Sequence, residues 1–252
     1  MKSLGHDFGF FIGGGIGRMT RGSTPPPLAY MEPEDHGTGI EAQRVNRAVA
    51  IKRVADIAGA IAGLALSAIP LAAVSTAIAL KLGRPVLFRQ ERPGRHEKTF
   101  GMVKFRTMTD ARGDDGTLLP DSERLTRLGI FLRRTSLDEL PELWNVLRGD
   151  MSIVGPRPLL SRYTAYFTDE ERLRFLVRPG ITGLAQIRGR NESTWDSRLR
   201  SDVEYVRTIS LGTDIRILLR TVRMVLWREG VVADPVSSMQ DLDAERGGGN
   251  AT

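Results

Sequence analysis

Arg133-Arg134-Thr135-Ser136-Leu137-Asp138-Glu139-Leu140-Pro141-Glu142 is the stretch from which the rest of the chain is read. Ser136 followed three residues later by Glu139 is a capping-box pattern and predicts a helix start. Leu137, Leu140, Trp144 and Leu147 recur at helical spacing, so that helix is expected to bury one apolar face. Pro141 removes one early backbone donor and tightens or kinks the first turn. Asp138 and Glu139 would then stand at the positive end of a helix dipole beside Arg133 and Arg134. Such a setting keeps a carboxylate ionised and suits a phosphate or a divalent cation. On this stretch alone, an ordinary capped surface helix is an equal competitor.

Composition narrows the chemistry. The 252 residues carry 36 Lys plus Arg against 30 Asp plus Glu, a net charge of +6. A basic excess points to phosphates, anionic lipid or nucleic acid without choosing among them. There is no Cys, so neither a disulfide framework nor a thiolate metal site exists. His6, His36 and His96 are scattered, which argues against a His-based zinc centre and a Ser-His triad. Catalytic groups must come mostly from carboxylates.

Upstream, Val54 to Leu80 is almost continuously apolar, with Asp56 its only charge. Arg44, Arg47, Lys52 and Arg53 flank one end; Lys81, Arg84 and Arg89 flank the other. Pro70 breaks or bends any helix there, and cations at both ends place both ends on the cytoplasmic side. These facts predict a re-entrant helix-break-helix over residues 50–84, broken around Ser67 and Pro70. Its second arm, Leu71 to Leu80, would be ~15 Å long, close to the depth of one leaflet. Ser67 and Thr76 are expected to bond carbonyls freed at the bend. A true single span and a buried core helix pair remain as alternatives. Residues 1–49 read as a loosely ordered tail. The glycine-rich run from Phe8 to Gly17 has no preceding strand to make it a dinucleotide loop, nor the length and cleavage site of a secretory signal.

Downstream, Pro85 to Gln90 and Thr99 to Phe105 read as strands joined by the turn residues Pro93-Gly94-Arg95-His96, a β-hairpin. Lys104 and Arg106 bring cations to its border. Asp114-Asp115-Gly116-Thr117 lacks the hydrophobic strand that an aspartyl-phosphate loop requires and reads as a solvated loop. In Gly155-Pro156-Arg157-Pro158 the flanking prolines restrict Arg157, whose guanidinium fork suits phosphate. Tyr163 to Leu176 looks helical. Arg178-Pro179-Gly180 to Gly189-Arg190-Asn191 is a glycine-punctuated loop with three Arg, able to bring backbone N–H groups near an anion. Helices are expected over Trp195 to Ile209 and Thr213 to Arg228. The second carries Arg216, Arg220 and Arg223 beside an apolar face and suits either a membrane interface or core packing. Residues 233–252 read as a disordered tail. The fold class is α+β: a mostly helical catalytic domain over residues 85–232 with a small hairpin, anchored by the apolar pair and interfacial helices.

Several motifs fall in one order: Lys52-Arg53 with Asp56, Gln90-Glu91-Arg92, Lys104-Phe105-Arg106-Thr107-Met108, Arg134 to Pro141, Gly149 to Pro158, Arg178 to Gly183 and Gly189-Arg190-Asn191. Together they closely resemble the bacterial sugar transferases, specifically the small monotopic polyprenyl-phosphate phosphoglycosyl transferases, over about residues 50 to 231. The resemblance implies transfer of a sugar-1-phosphate from a UDP-sugar to undecaprenyl phosphate at the cytoplasmic face of the bacterial inner membrane. It implies Asp138 as nucleophile and Glu139 as its partner in the dyad, with both as candidate ligands of Mg²⁺. Arg133 and Arg157 match basic positions near the substrate phosphates, and Lys104, Arg106, Arg178 and Arg190 join them as candidate substrate-binding cations. The family's Ser-Pro pair at the membrane break is replaced here by Ile69-Pro70, with Ser67 three residues earlier. A carboxylate is a competent nucleophile toward phosphorus once cations relieve its repulsion by the diphosphate. A membrane-tethered binding protein without chemistry is the rival from another class. Nucleic acid is disfavoured, because the cations cluster around apolar segments and no recognition helix or stacking pattern appears. The sugar, the glycan pathway and the oligomeric state, a homodimer included, are not legible.

Overall fold

A computed structural model of the chain describes residues 39–189, 194–227 and 241–247. The glycine-rich N-terminal run, Arg190 and most of the 233–252 tail lie outside the described residues. Helix α1 (Gly39–Leu66) and helix α2 (Ala68–Lys81) form the apolar pair, bent by 61°. Helix α1 thus starts inside the stretch expected to be loosely ordered. The break falls at Ser67 rather than at Pro70: Pro70 sits in the first turn of α2, where a missing N–H costs least. Ser67 Oγ donates to the Gly63 carbonyl at 2.6 Å, whereas Thr76 Oγ1 donates to Ala72 inside α2, away from the bend. No single described helix is long and apolar enough to cross a membrane; the bent pair meets that test only together. Leu66, Ile69 and Leu80 are 85%, 83% and 83% exposed.

The other face of the pair is docked. A Cβ on Gly59 would lie 2.6 Å from Ile153 Cδ1, so glycine there lets α1 approach closely. Asp56 accepts from Ser152 Oγ (3.0 Å) and from the Ile153 N–H (3.1 Å). Lys52 Nζ lies 2.5 Å from Asp214 Oδ2 and 3.6 Å from Asp56, and the Tyr205 hydroxyl reaches Asp214 Oδ1 at 2.7 Å. The lone acid of the apolar run is therefore an anchor, its buried charge compensated by a cation and two donors.

Strands β1 (Leu87–Pro93) and β2 (Thr99–Phe105) form the expected antiparallel hairpin, with Leu87 opposite Phe105 and Pro93 opposite Thr99. Phe100 and Met102 pack with Ala60, Val146 and Met151; Phe105 packs with Val74, Ile78 and Leu132. After α3 (Asp121–Arg124), helix α4 (Arg127–Arg134) is capped by Thr126, whose Oγ1 accepts from Gly129 N at 3.0 Å.

The predicted capping box does not form. Ser136 takes a left-handed conformation (φ 54°), Leu137–Glu139 is a single 3₁₀ turn, and regular helix resumes only after Pro141 as α5 (Glu142–Arg148). The left-handed Ser136 makes no side-chain cap, and the Glu139 carboxylate is taken by Lys104 and Arg157. The buried face of α5 is Glu142, Asn145 and Val146, while Trp144, expected inside, is 55% exposed. Asn145 stitches this face to the hairpin: its Oδ1 accepts from Val103 N (3.0 Å) and its Nδ2 donates to the Gly101 carbonyl (2.8 Å). Arg53 closes the far end, donating to the Leu147 carbonyl at 3.1 Å.

Strands β3 (Ser152–Val154) and β4 (Gly180–Thr182) pair in parallel. At Gly155, where the chain leaves β3, a Cβ would meet the Arg178 carbonyl at 2.5 Å. The helix expected over Tyr163 to Leu176 is broken into a 3₁₀ turn at Ser161–Tyr166, helix α6 (Asp169–Arg172) and a second 3₁₀ turn, because Thr168 opens a new capping box with Glu171. Helices α7 (Leu184–Arg188), α8 (Trp195–Arg207) and α9 (Leu211–Trp227) follow. Helix α9 buries Asp214, Ile217 and Met224 but leaves Ile215, Leu219, Val222 and Leu226 exposed along one stripe. Core packing accounts for the side of the helix that carries Ile217 and Leu218 and leaves the Ile215–Leu226 stripe exposed. The tail expected to be disordered contains a docked helix, α10 (Leu242–Gly247), whose Leu242 is fully buried.

Candidate active site

The 3₁₀ turn after α4, the basic end of β2 and the Pro156-Arg157-Pro158 segment converge on a cavity of about 800 Å³. Asp138 and Glu139 share this wall but differ in commitment. Glu139 Oε1 accepts from Lys104 Nζ at 3.1 Å and from Arg157 Nη2. Burial opposes ionisation of Glu139, yet Arg157 and Lys104 outweigh it and hold its carboxyl well below the usual range. Asp138 is buried, and no described residue donates a hydrogen bond to its carboxylate. Burial, then the Glu139 charge, raise its proton affinity, against the pull of Lys104, Arg157 and Arg133.

A third carboxylate lies behind the pair. Glu142 is fully buried on the first turn of α5, and its Oε1 stands 3.0 Å from Lys104 Nζ at ion-pair distance without hydrogen-bond alignment. Burial and the neighbouring Glu139 push it up to about 7, against the opposing pull of Lys104. Lys104 is thus the shared counter-ion of two acids, 35 residues from one of them.

Four of the six predicted cations line the cavity: Lys104, Arg106, Arg133 and Arg157. Arg133 Nε donates to Thr107 Oγ1 at 3.2 Å. Arg106 is spent locally, on the Met108 and Leu82 carbonyls and on Asp110. Arg178 does not reach the cavity; its Nε donates to the Gly149 carbonyl at 2.8 Å and locks the turn that ends α5. Its Nε is thus spent on that turn, and the structure does not bring it together with the four cavity-lining cations.

Other cavity residues escaped assignment to the site from sequence. Arg92 is one: burial, then Arg157, lower it to about 10. The period-two alternation of β1 places Phe88, Gln90 and Arg92 on the face that carries Lys104, since Phe88 pairs with Lys104 and Gln90 with Met102. That signal was available. Trp195, Arg198 and Asp202 from α8 and Gln186 from α7 complete the lining, and no local pattern marked them. Asp202 Oδ2 is 3.0 Å from Arg174 Nη2, and burial raises its carboxyl to about 6 against the pull of Arg174 and Arg198. Arg92 Nε, Gln186 Oε1 and Asp202 Oδ1 are buried here with no hydrogen-bond partner, capacity that a polar ligand can satisfy.

Residues 47–228 match the family model for bacterial sugar transferases. The chain belongs to that family. It is 48% identical over 181 residues to the Bacillus subtilis protein described as uncharacterized sugar transferase EpsL, covering 72% of this chain and 90% of that protein. It is 42% identical to the Caulobacter vibrioides UDP-glucose:undecaprenyl-phosphate glucose-1-phosphate transferase, covering 69% of each. It is 38% identical to the Erwinia amylovora UDP-galactose-lipid carrier transferase, covering 71% of this chain but 41% of that protein. The matched region contains the three carboxylates, the cations around them and the bent apolar pair, so this sugar transferase carries its candidate site within the family's own segment.

Proposed function

We propose that this sugar transferase moves a sugar-1-phosphate from a UDP-sugar onto undecaprenyl phosphate, with Asp138 as a covalent nucleophile. The observation that carries the reading is the division of labour in the dyad. Glu139 is tied down by two cations, while Asp138 is buried in the same wall with an uncommitted carboxylate of raised basicity. An Asp138 carboxylate oxygen attacks the β-phosphorus, the bond from that phosphorus to the UMP phosphate oxygen breaks, and UMP leaves with the electron pair. A phosphate oxygen of the lipid then attacks the same phosphorus, the aspartyl oxygen departs, and Asp138 returns to a carboxylate. Arg157, Arg133 and Lys104 mute the repulsion between carboxylate and diphosphate. The unsatisfied groups of Arg92, Gln186 and Asp202 offer partners to the nucleoside or sugar.

Asp138 and Glu139 fit a Mg²⁺ site, since this ion is commonly held by one or two carboxylates together with substrate phosphate oxygens. When bound it supplies further charge neutralisation at the diphosphate. The exposed apolar residues of α1 and α2 and the exposed stripe of α9 support seating on the cytoplasmic face of the inner membrane, with both ends of the bent pair on one side. The names of the relatives divide between glucose and galactose, so the sugar stays open.

The test is Asp138→Asn in membrane preparations. Release of UMP from a UDP-sugar and labelling of the protein by donor carrying ³²P at the β-position should both disappear. Undiminished UMP release would remove Asp138 from the nucleophile's role.

A further inference from the structure

The family match ends at residue 228, and the chain beyond it re-enters the fold as α10. Leu242 is fully buried there. Asp241 Oδ1 accepts from the Tyr163 hydroxyl at 2.6 Å, and Arg162 pairs with Asp241 and, at 3.0 Å, with Asp243. Arg246 uses both ends of its fork. Nη1 donates to the Tyr166 carbonyl (2.9 Å) and Glu171 Oε2 (2.7 Å); Nη2 donates to Glu171 Oε1 (2.8 Å) and Asp196 Oδ1 (2.6 Å).

These partners belong to segments that build the cavity. Tyr163 and Tyr166 lie in the turn that continues from Leu159 and Leu160, two lining residues just after Arg157. Asp196 sits in the first turn of α8 between Trp195 and Arg198, which also line the cavity. The Tyr163 and Trp195 rings meet edge to face at 5.3 Å. Arg246 therefore ties two walls that are separate in sequence. A bidentate guanidinium–carboxylate pair, shared with a further carboxylate and a carbonyl and backed by a fully buried leucine, is much stronger than an isolated surface pair.

We propose that α10 is a clasp that fixes the Leu160 and Trp195 walls of the cavity and so positions the nucleotide sugar, with Arg246 as a positioning residue that touches no substrate. The proposal rests on reading the cavity as the donor site. Its test uses the full chain in lipid nanodiscs, with Arg246→Glu, Arg246→Lys, and a chain ended after residue 240. Arg246→Glu and the shortened chain should raise KM for the UDP-sugar about tenfold and leave kcat within about twofold. Arg246→Lys, which keeps a cationic donor between Glu171 and Asp196, should bring KM most of the way back. A second readout is independent of activity. With Trp144→Phe and Trp227→Phe making Trp195 the only tryptophan, its emission should shift to the red in Arg246→Glu and return in Arg246→Lys. Unchanged KM and emission, or a loss confined to kcat, would overturn the clasp. If the shortened chain does not fold, the Arg246 pair still decides. If the unaltered protein releases no UMP from any UDP-sugar, the transferase reading fails, while the Trp195 emission still judges the clasp.

Discussion

Lys104→Met removes the cation shared by Glu139 and Glu142. Glu139 retains Arg157, but among the described residues Glu142 retains no opposite charge at contact distance. In the native protein Glu142 is already raised from its ordinary 4.5 to about 7. A folded-state value above the unfolded one means that the folded protein binds the proton more tightly. The associated stability is full below pH 4.5 and is lost as pH rises through about 7. That gap, at about 1.36 kcal/mol per pH unit, corresponds to a loss of about 3 kcal/mol. Without Lys104, which opposes the rise, the loss extends to higher pH and grows. The variant should therefore lie close to the native protein at pH 5 and about 1 kcal/mol below it at pH 8, since one pH unit above the native value of about 7 adds at most about 1.4 kcal/mol. Thermal unfolding in one detergent at pH 5, 6, 7 and 8 measures this. Glu142→Gln, added to Lys104→Met, should flatten the pH dependence and recover most of the loss at pH 8. A pH-independent deficit, or failure of Glu142→Gln to recover it, would refute the reasoning.

Three other outcomes are expected. Gly155→Ala should destabilise the fold by about 3 kcal/mol or abolish expression, since its Cβ would meet the Arg178 carbonyl at 2.5 Å and the Gly180 N at 2.9 Å; thermal unfolding measures it, and a native midpoint would contradict it. Arg157→Gln should raise KM for the donor about tenfold or more, because it deletes a charged contact at the cavity wall, whereas Arg178→Gln should leave KM unchanged and lower only the unfolding midpoint. Single cysteines placed at Val45 and at Arg84, unique labels in a chain without Cys, should both react with a membrane-impermeant maleimide only from the cytoplasmic side; labelling from opposite sides would make the apolar pair a span.

Local rules carried this sequence a long way. The 3.6-residue and two-residue periodicities placed the apolar pair, the hairpin and helices α8 and α9, because each depends on residues a few positions apart. The basic motifs and the Asp138-Glu139 pair were legible for the same reason. What misled was also local: Ser136 and Glu139 spell a capping box, yet Lys104 and Arg157 outbid the backbone for that glutamate across 35 and 18 residues. Arg178 looked like Arg157 by composition, and only packing gave it the Gly149 carbonyl instead of the cavity. Asp56 stands in the sequence as the one charge of an apolar run, and only packing gave it the Ser152 hydroxyl and the Ile153 N–H beside Lys52. The tail read as disordered on composition, and six residues do not hold a stable helix alone; α10 exists through contacts with Tyr163, Glu171 and Asp196. The sequence by itself determined which segments form and which charges are present. The tertiary structure decided which carboxylate is left uncommitted, because pairing of buried charges is set by distances between segments remote in the chain.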